Sequence, residues 1–136
     1  MPASSKRPSK PSAKPRVKRE AKTTSSSSRP FLRFYHSESL RAKTLAVLTA
    51  LEKAKNKTDH RNALADIVVE LTDSGMEYYF LRPLKIANAG FLTEKSASLG
   101  MAATTRVLGS VIRTIIGGMD SPQLVSVCSY LRQLMK

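Results

Sequence analysis

From Ser37 to the last residue, apolar side chains recur three and four positions apart and almost never alternate, which restricts the chain to helices. Leu40, Thr44, Val47, Leu48 and Leu51 form the first run. Ser37 opens it with a hydroxyl that can accept an orphan amide, and Glu38 suits the positive end of the helix dipole. A polar link, Lys55-Asn56-Lys57, leads to a second run carrying Leu64, Ile67, Val68 and Leu71, opened by Thr58 or Asp59. Asp73-Ser74-Gly75 reads either as a turn or as a weak point in one long helix, since glycine costs about 1 kcal/mol there. Met76, Tyr79 and Phe80 carry the pattern toward Arg82-Pro83. The proline disfavours helical geometry at the residue before it and predicts a kink or boundary near Arg82.

Thr93-Glu94 starts a long third helix that should end at Gly117-Gly118, in left-handed geometry. Its main stripe is expected to be Met101, Thr104, Leu108, Val111 and Ile115, widened by Val107 and Ile112. Ala97, Gly100 and Ala103 lie together on one side, where a neighbouring helix could approach closely. Ser121 before Pro122 predicts a capped last helix with Leu124, Val127, Cys128, Leu131 and Leu134 on its apolar face. Ile67-Val68-Val69 is too short to argue for a strand. The expected fold is all-α, a compact bundle of four to five helices over residues 31–136.

Residues 1–30 differ in kind: they are rich in Ser, Pro and Lys, with Met1 and Val17 as the only large apolar residues. Such a stretch cannot offset the roughly 1–2 kcal/mol per residue needed to order a backbone, so a disordered tail is expected. It lacks the apolar region of a secretory signal and the amphipathic face of a transit peptide. The formal charge of +13 concentrates here. Nine bases (Lys6, Arg7, Lys10, Lys14, Arg16, Lys18, Arg19, Lys22 and Arg29) stand against Glu20, giving +8; residues 31–94 carry +1 and residues 95–136 carry +4. In composition this segment resembles the Lys/Pro/Ala/Ser-rich extensions of linker histones and bacterial histone-like proteins. That resemblance covers residues 1–30 alone and implies nonspecific contact with phosphate.

Few residues suggest chemistry. His36 and His60 are separated and Cys128 is the only cysteine, so no metal-ligand spacing and no disulfide framework exist. Cys128 sits on an apolar stripe and reads as a small buried hydrophobe. Asp66, Glu70 and Asp73 share one flank of the second helix and read as a solvated face able to pair with bases. The glycine pair at 117–118 lacks the Lys and Ser/Thr of a phosphate loop. No enzyme and no cofactor are expected. No segment offers the roughly 18 uninterrupted apolar residues of a membrane span, so no transmembrane segment is expected either.

Aromatic residues cluster at Phe31, Phe34 and Tyr35 and again at Tyr78, Tyr79 and Phe80. Phe31 and Phe34 are expected to dock the chain onto the bundle; the alternative is stacking on bases beside Arg29 and Arg33. Tyr79 is expected in the core and Tyr78 partly exposed. Arg106 and Arg113 form a basic stripe on the third helix. The expected function is therefore nucleic-acid association without sequence readout, through the nine bases of the tail together with Arg33, Arg106 and Arg113. The bundle would supply oligomerisation, as a homo-dimer, or contact with a protein partner. The alternative is a protein-interaction or oligomerisation module of unknown partner with the tail secondary, or binding of an anionic membrane or granule surface, which the tail could supply. The single cysteine fits the cytoplasm, at the nucleoid in a bacterium or in the nucleus of a eukaryote.

Overall fold

The computed structural model describes Ser9, Pro11, Ser12, Pro30 and residues 32–136. The expected disordered segment otherwise lies outside the described residues. The chain divides into two units, Met1–Phe31 and Leu32–Lys136. The second is an all-α bundle, with no strand among the described residues.

Helix α1 spans Glu38–Lys53, and Ser37 caps it as expected, its hydroxyl accepting from the Leu40 amide at 3.1 Å. At the far end the Lys57 ammonium donates to the carbonyls of Glu52 at 2.9 Å and Ala54 at 3.2 Å, where a cation suits the dipole. Lys57–His60 form a tight 3₁₀ turn, and α2 spans Arg61–Met76. Neither Thr58 nor Asp59 caps it. The Thr58 hydroxyl donates to the Asn56 side chain at 2.7 Å and the Asn56 amide donates to Asp59 at 2.8 Å, so both candidates are turned back on the link.

Gly75 does not break α2. Its missing side chain leaves room for Phe34, whose ring stands 3.6 Å from where a Cβ would lie. The irregularity expected near Arg82 takes the form of a widened π turn over Glu77–Leu81, after which α3 continues through Arg82–Ile86. Proline lacks a donor and crowds the carbonyl four residues earlier. That carbonyl belongs to Tyr79, inside the widened turn, so the rod survives its proline.

Asn88 and Gly90 take positive φ, 49° and 91°, and reverse the chain. Helix α4, Phe91–Gly117, begins two residues before the expected Thr93 because the Gly90 carbonyl already accepts the Glu94 amide at 3.0 Å. It ends where the glycine pair predicts, but Gly118 keeps right-handed geometry at φ −89°. Helix α5 spans Ser121–Leu134. Its cap is Asp120, not Ser121: Asp120 accepts the Gln123 amide and the Gln123 side chain accepts the Asp120 amide, both at 2.9 Å, satisfying two orphan donors reciprocally.

The core lies where α1, α2 and α5 meet, around Leu48, Leu51, Leu64, Ile67, Leu124 and Cys128, each essentially inaccessible. Long side chains tie the elements across it. Arg61 donates through Nε to the Met119 carbonyl at 2.8 Å, Arg41 donates to the Met135 carbonyl at 3.1 Å, and Arg132 forks onto Glu52 at 2.7 and 3.1 Å. Helix α4 is the outlier. It rests mainly on α2 and sends Ile116 into the core, leaving much of its circumference in solvent.

Candidate functional site

The side of α4 that meets α2 is set by Gly109. A Cβ there would stand 3.6 Å from Val69 Cγ1, so the backbone of α4 comes close to α2 at this point. Met101, Thr105, Ile112 and Ile116 fall on the same side and are buried or half-buried. Of the stripe expected to face the core, Met101 and Ile112 therefore face α2 and the rest faces water. Val107, Leu108, Val111 and Ile115 are 66, 37, 48 and 56 % exposed, and Thr104 is exposed with them. Of the side expected to admit a close approach, Ala97 is half-buried, but Gly100 and Ala103 are exposed and nothing lies near Gly100. The physical reason is that α4 carries apolar residues around more than half its girth. A helix with two apolar faces buries whichever one fits its neighbour, and the smallest residue on the Val69 side decided the fit.

The exposed face has a regular geometry. Gly100, Thr104, Val107, Val111 and Thr114 follow one another at alternating four- and three-residue steps, the spacing of a helix-pairing seam. At 1.5 Å per residue the seam runs about 21 Å. No charged residue stands in it. The nearest cations, Arg106 and Arg113, leave the helix on the other side, and Arg113 reaches Asp66 of α2 at 2.9 Å.

The nine bases expected to contact nucleic acid through the tail, Lys6 through Arg29, lie outside the described residues, as does Phe31. Of the remaining three, Arg113 is engaged with Asp66, Arg106 is exposed on the same flank of α4, and Arg33 is exposed in the segment before α1. The expected stripe of Arg106 and Arg113 is thus half neutralised within the chain. The acidic flank of α2 has the same fate. Glu70 pairs with Lys43 from α1, and Asp73 accepts from the Thr105 hydroxyl at 2.9 Å, so α2 lies between helices that both donate to it. Among the described residues, no three His, Cys, Asp or Glu converge to hold a metal.

Phe34 docks on the bundle as expected, half-buried against the rings of Tyr78 and Tyr79 at 6.3 and 6.2 Å. Tyr35 beside it stands in solvent but edges Tyr78 at 6.1 Å. Tyr78 is half-buried, in keeping with its expected partial exposure, whereas Tyr79, expected in the core, is exposed, as is Phe80. They sit in the π turn, where an even count of 100° per residue no longer holds. Cys128 is fully buried, and burial pushes its thiol pKa up, which keeps it protonated and unreactive.

No family model, curated protein or solved structure matches this chain. The main element of the site is the uncharged seam of α4, with Val107 and Val111 in it and Leu108 and Ile115 exposed beside it.

Proposed function

We propose that this protein is a non-enzymatic, self-associating carrier of a basic segment. Two copies pair through the solvent face of α4, and the paired basic segments bind nucleic acid along its phosphate backbone without reading sequence. The exposed seam of Gly100, Thr104, Val107, Val111 and Thr114, which carries no charge, is the observation that supports this reading. Helix seams at this spacing are buried against another helix when water-exposed apolar surface is to be removed. A second copy fits because the face carries no charge to repel itself. The bases of residues 1–30 supply the affinity for phosphate, since each neutralised phosphate releases condensed counterions. Pairing places two such segments on one particle, and the second then binds at the raised effective concentration set by the first. The cytoplasm, at the nucleoid or in the nucleus, is the compartment that goes with this reading.

The test is a salt titration of duplex binding by the full chain beside a full chain in which the nine bases of residues 1–30 are glutamines. The slope of log affinity against log salt should fall by about 0.9 for each phosphate that the glutamine chain leaves unneutralised. An unchanged slope contradicts the reading.

A further inference from the structure

The turn between α3 and α4 carries an arrangement that neither pairing nor phosphate contact uses. Phe80, Ile86, Phe91 and Leu92 surround it, each between 61 and 78 % exposed. Lys85 and Lys95 flank the turn, both exposed, while Arg82, also exposed, holds its guanidinium 5.2 Å over the Tyr78 ring one turn back. Glu94 is the only acid between Glu77 and Asp120, and it is half-buried. Lys95 arches over the Phe91 ring, its ammonium 5.7 Å from the centroid. Leu81, Leu84, Phe91 and Leu99 line an open groove of about 490 Å³ together with Lys85, Lys95, Glu94 and Ser98.

We infer that this turn is a docking site for an anionic bilayer surface, in which the exposed apolar tip enters the headgroup layer and Lys85 and Lys95 meet lipid phosphates. The combination identifies the occupant. Large apolar side chains flanked by long basic ones, which keep their heads in the polar layer, are the pattern of interfacial insertion. An unpaired base would stack on Phe80 or Phe91, but it gains little from the aliphatic Ile86 and Leu92, whereas acyl chains solvate all four. A second copy would set Lys85 and Lys95 against themselves. Insertion stops at the tip. Helix α4 has the length and composition to cross a membrane, but Arg106 and Arg113 lie within it and Arg113 is held by Asp66 of α2.

The chain contains no tryptophan, so Leu92→Trp in the full-length protein is a sole reporter at the tip. With vesicles containing phosphatidylglycerol its emission should shift to the blue, and with phosphatidylcholine vesicles or duplex DNA it should not. Ile86→Ser with Leu92→Ser should weaken binding to the anionic vesicles by about tenfold for each side chain. Both side chains are so exposed that the fold does not depend on them. Lys85→Gln with Lys95→Gln should weaken it too, while leaving duplex binding unchanged. Vesicle binding with no blue shift would assign it to the basic segment and overturn the inference. So would a blue shift with duplex DNA equal to that with vesicles, or no vesicle binding at all. None of these outcomes bears on pairing through α4, because Leu92 lies outside the seam.

Discussion

Replacing Val111 by aspartate puts a charge at the middle of the α4 seam and should abolish pairing without unfolding the chain. The exposed fractions of Val107, Leu108, Val111 and Ile115 add up to about two whole side chains. Burying one such side chain contributes about 1.5–3 kcal/mol, so a symmetric pair gains roughly 6–12 kcal/mol. Association costs at least about 4 kcal/mol in lost translation and rotation. What remains is at most about 8 kcal/mol, a dissociation constant no tighter than about 1 µM. The dimer should therefore dissociate on dilution. Val111→Asp occurs twice in a symmetric pair, and each copy removes apolar burial and strands a carboxylate with no base in the seam. Burying an unpartnered polar group costs about 1–3 kcal/mol, so the two copies should weaken pairing by more than about thirtyfold. Sedimentation velocity over a concentration series reads this directly: the parent should shift from monomer to dimer and the variant should stay monomeric. Its melting temperature should barely move, because Val111 does not contribute to the core. A parent that is monomeric at millimolar concentration, or a variant that sediments like the parent, refutes the reasoning.

Other substitutions test the fold beneath the seam. Gly109→Leu should destabilise the protein by about 1–3 kcal/mol in denaturant titration, because the added side chain meets the Arg113 guanidinium and pushes α4 off Val69 of α2. Asp120→Ala removes the capping box of α5 and should cost about 0.5–2 kcal/mol, with Ser121→Ala close to neutral. Stability should also fall as pH rises above about 8.5, where the unfolded thiol ionises. Burial holds the native Cys128 thiol protonated there, so the folded state binds the extra proton and loses ground with increasing pH. Cys128→Ala should start lower, from the cavity it leaves, and lack that decline.

How much of this was legible in the sequence depends on whether an element has one apolar face or two. Helix α1 and helix α5 have one each, so Leu48, Leu51, Leu124, Cys128 and Leu131 could be assigned to the core from spacing alone. The acid flank of α2 was legible as a solvated face for the same reason, and Lys43 and Arg113 then pair with it. Helix α4 has two faces, and periodicity cannot rank them. Only the close fit of Gly109 against Val69 decides, a contact between residues forty apart in sequence. The signal that points to it is Gly109, a glycine inside the apolar run, although Gly100 offers the same signal and has no neighbour. The exposure of Tyr79 escaped because a helical count assumes an even turn, and the proline four residues beyond it widens that turn. The apolar tip at Ile86 and Leu92 was missed because those residues fall in a reversal, where no periodic pattern identifies a face.

The most direct test of pairing through α4 is a distance measured across it. A spin label at Val111→Cys, in a full chain whose Cys128 is alanine, would sit between two helices whose axes lie about 8–10 Å apart. Strong dipolar coupling is expected at concentrations where the chain is dimeric, and it should fade when labelled protein is diluted into unlabelled. A label at Asn62→Cys, on the exposed side of α2, should couple weakly if at all. Strong coupling at position 62 with none at position 111 would show that the copies meet elsewhere and would contradict the account.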